Sequence, residues 1–177
     1  MPRGRPGKLP RLNTQAARCK GPVAILNTMG NSRMILVAED DPTDAFFLQR
    51  AFAKAGVSVG LKFVRDGQEA IDYLRGEPPF TDRGTHPLPQ LLLLDLKMPR
   101  LNGFEVLSWL KTQPGLKRLL AIVFSSSAEA GDINRAYDLG ANSYLVKPHA
   151  TEQLLELVNR VEKYWLEANQ NPNYFAA

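Results

Sequence analysis

The sequence predicts an α/β protein in which a doubly wound, five-stranded parallel sheet is flanked by five helices. Short apolar segments alternate five times with segments whose apolar residues recur at helical spacing. Such alternation is typical of a parallel sheet that is covered on both faces. Two of the apolar segments, 34–38 and 91–94, are almost continuously apolar, as burial of a strand on both faces requires.

The first half of the chain supplies two strand–helix units. The first strand is predicted at 34–38, and the helix that follows it ends at Gly56, a residue typical of helix C-termini. The second strand, 59–63, alternates in polarity and precedes a short helix around 70–74. The segment 76–89 contains four prolines and two glycines, which predicts a loop of unusual length.

The second half of the chain supplies three further units. The remaining strands are predicted at 91–94, 119–124 and 143–146, and the helices that follow them at 104–110, 133–139 and 151–165. In open sheets of this class, ligands bind beyond the carboxyl ends of the strands. The residues that follow the strands are therefore the candidates for a functional site.

Acidic, hydroxyl and basic side chains occupy these positions. In chain order they are Glu39, Asp40, Asp41, Asp95, Ser125 and Lys147. Asp41 directly precedes Pro42 and is predicted to be a helix N-cap. The other carboxylates would repel one another at close range, so they should raise a pKa or bind a cation. An all-oxygen set favours Mg²⁺.

This set of side chains also suits a particular reaction. A carboxylate beside a divalent cation can attack phosphorus and form an acyl phosphate. Phosphoryl transfer needs positive charge and hydrogen-bond donors around three equatorial oxygens. Lys147 and Ser125 could provide these contacts. The sequence therefore predicts Mg²⁺-dependent phosphoryl transfer to Asp95.

Four stretches of the chain carry a resemblance to a known family. They are ILVAEDDP at 35–42, LLLLDLKMPRLNGFEVL at 91–107, AIVFSSS at 121–127 and GANSYLVKP at 140–148. From Met34 to about Val161, the chain resembles the receiver domain of bacterial response regulators, which has a flavodoxin-like fold. The loop before the third strand and the ending KYWLEANQNP are similar to small single-domain regulators paired with bacterial phytochromes.

The resemblance implies a role for each of four residues at the phosphorylation site. Asp95 corresponds to the phosphoacceptor, and Lys147 and Ser125 to its catalytic partners. Ser125 and Tyr144 correspond to the conformational switch of the family. The bond between Lys147 and Pro148 corresponds to one that is cis in the family.

The resemblance also implies a set of metal ligands. Mg²⁺ would be held by Asp40, Asp95 and the backbone carbonyl of Lys97, with Glu39 acting through water. Position 39 is Glu where many relatives have Asp, which keeps the carboxylate chemistry. The side chain of Lys97 lies two residues beyond the acceptor, so the lifetime of the phosphorylated state stays open.

The chain divides into three predicted regions. Residues 1–33 hold seven basic residues and no acid, and their composition predicts a disordered basic leader. This leader could be a transit peptide or a nucleic-acid-binding arm, or translation could begin at Met29 or Met34. The receiver domain is predicted at 34–168 and a C-terminal tail at 169–177.

Charge and composition narrow the choice of partners and compartment. From residue 34 onwards the chain has 15 basic and 18 acidic residues, a net charge of −3, which argues against nucleic acid as the partner. No apolar run reaches the roughly 20 residues of a membrane-spanning helix. The single cysteine, Cys19, excludes an internal disulfide framework and fits a reducing compartment. A cytoplasmic location is predicted.

The expected function is a two-component response regulator that receives a phosphoryl group from a histidine kinase, with a bacterial phytochrome as a candidate. Its output would be contact with a downstream protein or phosphate relay to another protein. It would catalyse only its own phosphorylation and dephosphorylation. The aromatic residues Tyr164 and Trp165 could pack at the end of the last helix or form a homodimer contact.

Three alternative classes fit the sequence less well. A haloacid-dehalogenase-type phosphatase would need a second Asp where this chain has Lys97. A flavodoxin-type electron carrier would need a hydroxyl- and glycine-rich loop after the first strand, and this loop is acidic. A receiver-like domain that only binds partners would lack part of the acceptor set, whereas all members are present.

Overall fold

The computed structural model of the protein describes residues 33–171, which form one five-stranded parallel sheet in the order β2-β1-β3-β4-β5. The strands are β1 (Met34–Ala38), β2 (Gly60–Val64), β3 (Leu91–Leu94), β4 (Leu120–Ser125) and β5 (Ser143–Val146). The helices are α1 (Pro42–Ala55), α2 (Gly67–Arg75), α3 (Gly103–Thr112), α4 (Ala130–Asp138) and α5 (Thr151–Val161), and the π-helical segment Glu162–Ala168 continues from α5. The predicted fold class is confirmed.

Two regions from the sequence analysis fall largely beyond the described part of the chain. The predicted leader, 1–33, lies outside the described residues apart from Arg33, and the predicted tail lies outside them beyond Asn171. Within 33–171, no helix combines the length and the apolar character needed to cross a bilayer.

Two strands are displaced by one residue from their predicted positions. Strand β2 begins at Gly60, whose N–H donates to the carbonyl of Arg33 at 2.8 Å. Strand β4 extends to Ser125, whose carbonyl accepts the N–H of Lys147 at 2.9 Å. Pairing between distant strands therefore sets these boundaries, and Ser125 is the last residue of its strand instead of the first residue after it.

The sheet separates two hydrophobic layers. Successive side chains of a strand point to opposite faces, so Leu36 and Ala38 pack with residues of α2, α3 and α4. Ile35 and Val37 pack on the other face, with residues of α1 and α5. All five residues of β1 are buried, and each large aliphatic side chain contributes about 2 kcal/mol of burial free energy.

Helix α1 begins where the sequence predicts its N-cap. The Asp41 carboxylate accepts the N–H of Thr43 at 2.6 Å and of Asp44 at 3.2 Å, which satisfies two free donors of the first turn. Pro42 occupies the start of the helix, and Gly56 ends it in a left-handed conformation with φ of 72°. This cap fixes Asp44 at the carboxyl edge of the sheet.

The loop from β3 to α3 packs tightly against the end of β3. The N–H of Gly103 donates to the carbonyl of Leu96 at 3.1 Å. A β-carbon at Gly103 would overlap the carbonyl oxygen of Asp95 and the α-carbon of Leu96. Glycine is therefore the residue that lets the start of α3 approach the backbone of Asp95 this closely.

A second set of contacts ties this loop to the start of α2. Asp66 caps α2 by accepting the N–H of Glu69 at 2.9 Å, and it also accepts Nε of Arg100 at 2.8 Å. The N–H of Gly67 donates to the carbonyl of Leu101 at 3.0 Å. The loop that follows Asp95 is thus held from both sides.

The long loop between α2 and β3 is fastened to α2 by Arg83. Its guanidinium donates to the carbonyls of Tyr73 and Leu74, both at 2.8 Å. The Tyr73 carbonyl also accepts the N–H of Gly76 at 3.1 Å. Because the last carbonyls of a helix lack partners within it, Arg83 completes the hydrogen bonding at this end of α2. The Tyr73 hydroxyl donates to the carbonyl of Pro87 at 2.9 Å, which closes the loop against the helix.

Candidate functional site

The carboxyl edge of the sheet carries a cluster of charged side chains. Backbone hydrogen bonds continue the ladder one residue past the strands: Glu39 N–H donates to Val64 at 3.0 Å, Asp95 N–H to Ala38 at 3.0 Å and Lys147 N–H to Ser125 at 2.9 Å. The main chain therefore fixes the point at which each functional side chain leaves the sheet.

Lys147 lies at the centre of this cluster. Its Nζ atom is 2.7 Å from Oδ2 of Asp95, 2.7 Å from Oε2 of Glu39 and 2.9 Å from Oδ2 of Asp44. An ammonium group has three N–H donors, and here three carboxylates accept them. Residues that are far apart in the sequence therefore converge on one cation.

Three carboxylates of the cluster are placed to share a metal ion. One oxygen from each of Glu39, Asp40 and Asp95 lies within 4.8 Å of the others. Glu39 and Asp95 are buried, whereas Asp40 is exposed. Hard oxygen ligands of this kind, open to water on one side, suit Mg²⁺. The donor set fits a divalent cation.

The electrostatics of Glu39 support the same assignment. Burial raises the pKa of the Glu39 carboxyl from 4.5 to about 7, although contact with Lys147 opposes the shift. Burial also acts against the charge of Lys147, but hydrogen bonds to Asp95, Glu39 and Asp44 outweigh it and raise the pKa of the ammonium. Lys147 alone therefore does not fully neutralise the buried carboxylates Glu39 and Asp95. A divalent cation would supply the missing positive charge.

The Asp95 carboxylate is oriented by its own loop. Its Oδ1 atom accepts the N–H of Leu96 at 2.6 Å and of Lys97 at 3.2 Å. Its Oδ2 atom accepts Nζ of Lys147 at 2.7 Å. The backbone of Lys97 thus lies beside Asp95, while its side chain is exposed; coordination by its carbonyl stays a prediction.

Ser125 and Tyr144 are connected through Ser127. Ser125 is fully buried, and its Oγ atom accepts the N–H of Ser127 at 3.4 Å. The Tyr144 hydroxyl donates to the carbonyl of Ser127 at 2.9 Å. Burial raises the pKa of this hydroxyl. Both predicted switch residues therefore contact the same loop, which connects β4 to α4.

Two residues of the site are not predicted from the sequence, namely Ser127 and Asp44. No role is predicted for Ser127 from the sequence, yet its hydroxyl donates to Asp132 at 2.6 Å and so links the loop to α4. Asp44 resembles an ordinary acidic residue in a first helical turn, and its contact with Lys147 spans 103 residues of sequence. No local pattern could have found that contact.

One expectation taken from the resemblance is wrong. The bond between Lys147 and Pro148 is trans, and the cis bond in the described part of the chain lies between Pro78 and Pro79. The trans isomer of an X–Pro bond is intrinsically favoured by roughly 0.5–1 kcal/mol.

Comparison with protein families identifies the class of protein. The model of the response regulator receiver domain matches residues 35–159. This match covers the sheet from β1 to β5, most of α5 and the whole charged cluster. The chain belongs to the response regulator receiver family.

Individual relatives agree with this assignment. The chain is 37% identical over 139 residues to the probable methanogenesis regulatory protein FilR2 of Methanothrix harundinacea, covering 78% of this chain and 87% of the relative. It is 33% identical over 135 residues to the response regulator Rcp1 of Synechocystis, covering 76% and 90%.

Solved structures extend the comparison to the fold. The Mn²⁺-bound form of Rcp1 superposes with a TM-score of 0.71 at 32% identity, covering 79% of this chain and 99% of that structure. The phosphorylated cyanobacterial phytochrome response regulator RcpA superposes with a TM-score of 0.73 at 37% identity, covering 79% and 98%. The homologues therefore include phytochrome response regulators, and the family places the chain in two-component signalling.

Proposed function

We propose that this response regulator accepts a phosphoryl group on Asp95 from a histidine kinase, in a reaction that requires Mg²⁺. The observation that carries the proposal is the position of Lys147 Nζ, 2.7 Å from Asp95 and 2.7 Å from Glu39. This arrangement brings together the candidate acceptor carboxylate, a fixed cation and carboxylates that could hold a divalent cation, which is the set of groups that phosphoryl transfer requires.

In the proposed reaction, a carboxylate oxygen of Asp95 attacks the phosphorus of a phosphohistidine in line with the P–N bond. That bond breaks, its electron pair returns to the donor imidazole, and an acyl phosphate forms on Asp95. Lys147 contacts a phosphoryl oxygen and stabilises its charge. Glu39, Asp40, Asp95 and the Lys97 carbonyl would hold Mg²⁺, which supplies Lewis-acid stabilisation of the phosphoryl oxygens.

The response to phosphorylation would begin at Ser125. The new group adds a charge of about −1.5 to −2 and three acceptor oxygens, toward which the Ser125 hydroxyl can turn. Because Ser125 contacts Ser127, and Ser127 contacts Tyr144, this movement shifts an existing equilibrium of the loop and of Tyr144. We propose that the altered surface then binds a downstream protein or passes the phosphoryl group on.

The relatives suggest the kind of kinase. RcpA is a phytochrome response regulator, and we propose a bacterial phytochrome with histidine kinase activity as the phosphoryl donor. The protein would catalyse only the gain and loss of its own phosphoryl group. The cytoplasmic location stays a prediction.

Incubation with acetyl phosphate and Mg²⁺ tests the proposal directly. We expect the intact protein to gain one phosphoryl group by mass spectrometry, and we expect chelation of Mg²⁺ to prevent the gain. Asp95→Asn should abolish labelling, because an amide oxygen cannot form the acyl phosphate. Asp138→Asn, an exposed change of the same type at the far end of α4, should label normally. Labelling that persisted in Asp95→Asn would place the acceptor elsewhere.

A further inference from the structure

The third carboxylate on Lys147 belongs to neither the phosphoacceptor nor the metal cluster. Asp44 lies in the first turn of α1, and its Oδ2 atom is 2.9 Å from Nζ of Lys147. Its side chain is 46% exposed, compared with 2% for Glu39 and 6% for Asp95. Asp44 is therefore the outer partner of a lysine whose other two partners are buried.

Lys147 and a divalent cation would compete for the same charges. Glu39 and Asp95 are partners of Lys147 and are also two of the three carboxylates placed to share a metal ion. An ammonium group and a dication that share two carboxylates repel each other. A metal bound by Glu39 and Asp95 would neutralise part of the negative charge that holds Lys147.

Asp44 offers Lys147 a partner that lies outside this competition. It is absent from the cluster of three carboxylates whose oxygens lie within 4.8 Å of each other. Its position is fixed by α1, because its N–H donates to the Asp41 cap at 3.2 Å. Lys147 can therefore keep its hydrogen bond to Asp44 when its contact with Glu39 is lost.

We propose that Asp44 is a positioning residue for the Mg²⁺-dependent reaction, because it holds the Lys147 ammonium when a divalent cation takes over Glu39 and Asp95. This inference rests on the proposed function of Asp95. It assigns to Asp44 no contact with the phosphoryl group and no role as a metal ligand. Asp44 acts on metal binding only through Lys147.

Mg²⁺ affinity of the full chain, measured by isothermal titration calorimetry, tests this role without any phosphorylation. Asp44→Asn should weaken Mg²⁺ binding by about five-fold, the size expected for one partly exposed ion pair. Asp44→Glu, which keeps the charge and can reach Lys147, should bind Mg²⁺ within about two-fold of the wild type. The control Asp138→Asn removes the same charge at the far end of α4 and should leave the affinity unchanged.

A double-mutant cycle separates an action through Lys147 from a general effect of charge. In a Lys147→Met background, Asp44→Asn should change Mg²⁺ affinity by less than about two-fold, because the ammonium that Asp44 holds is gone. The same five-fold loss in both backgrounds would overturn the proposal, since Asp44 would then act on the metal directly. A chain with Asp44→Asn that bound Mg²⁺ as tightly as the wild type would also overturn it.

The outcomes distinguish this inference from the proposed function. A wild type that binds Mg²⁺ and is phosphorylated on Asp95, together with an unaffected Asp44→Asn variant, would refute only the role of Asp44. A wild type that binds no Mg²⁺ would refute both. If Asp44→Asn had the same effect with and without Lys147, and the wild type were still phosphorylated on Asp95, the role of Asp44 would be refuted and the proposed function would stand.

Discussion

At the scale of single residues, the site depends on how three buried or half-buried carboxylates share one lysine. Removing one partner from a buried ion pair is costly, because it leaves the other partner buried and uncompensated. Lys147 has two such partners, Glu39 and Asp95, whose side chains are only 2% and 6% exposed. The lysine is therefore a structural counter-ion in addition to its proposed role in phosphoryl transfer.

Lys147→Ala should expose this structural role. We expect the free energy of unfolding to fall by roughly 3 kcal/mol without metal, because Glu39 and Asp95 would lose the counter-ion with which they are buried. If Mg²⁺ binds the same carboxylates, as proposed, it should restore much of the loss, because a ligand of the folded state stabilises that state. Chemical denaturation with and without Mg²⁺ measures both effects.

Lys117→Ala is the matched control for this experiment. Lys117 is an exposed lysine outside the charged cluster, so its removal should leave stability within about 0.5 kcal/mol of the wild type. If Lys147→Ala were as stable as this control in the absence of Mg²⁺, the two buried carboxylates would not depend on the lysine.

At the scale of elements, the loop between β3 and α3 determines where Asp95 points. Its tight packing against Gly103 leaves no room for a side chain there. The helix itself is well started, because Asn102 and Glu105 form a capping box with hydrogen bonds of 3.1 Å and 2.8 Å. The start of α3 is thus fixed in position. A side chain added at Gly103 must therefore displace the backbone of Asp95.

Gly103→Ala should therefore destabilise the protein even though alanine favours helices. We expect a loss of about 1–3 kcal/mol, the usual cost of overpacking, measured as the free energy of unfolding in denaturant. Gly115→Ala is the control, because a β-carbon there meets nothing within 4 Å. Equal stability of the two variants would contradict the close approach seen here.

The sequence predicts these elements unevenly, and the reasons are physical. Strands β1 and β3, which precede Glu39 and Asp95, are continuous apolar runs, so the sequence predicts where each of them ends. Strand β4 is shifted by one residue from its predicted position, because the hydrogen bond between Ser125 and Lys147 is a contact between distant strands. The contact between Asp44 and Lys147 also joins distant parts of the chain, so no local sequence pattern indicates it. The Asp41 cap is a local interaction, and its prediction is confirmed.

At the scale of the whole molecule, the phenol of Tyr73 links stability to alkaline pH. Tyr73 is fully buried, and burial raises its pKa from 10.0 to about 12. Its protonated form is favoured in the folded state, since its hydroxyl donates to the carbonyl of Pro87. The contribution of Tyr73 to stability is therefore complete below pH 10 and is lost as the pH rises toward about 12.

Tyr73→Phe should flatten this part of the stability profile. Other tyrosines and lysines also titrate above pH 10, so the informative quantity is the difference in slope between variant and wild type in urea unfolding. Between pH 10 and 12, the wild type should lose stability more steeply than Tyr73→Phe. Tyr137→Phe, which alters an exposed phenol, should keep the wild-type slope; identical slopes in all three proteins would exclude Tyr73 as the source.

The two layers on either side of the sheet have a consequence for the direction in which a signal travels. Tyr144 packs with the layer that includes Ala136 of α4, whereas Leu48 of α1 and Leu154 of α5 belong to the opposite layer. Because a side chain on one face of a strand cannot reach the other face, the proposed rotation of Tyr144 would alter the contacts of α4 first. A signal that starts at Tyr144 would therefore leave the molecule on the side of the sheet that carries α4, while the side that carries α1 and α5 would keep its packing.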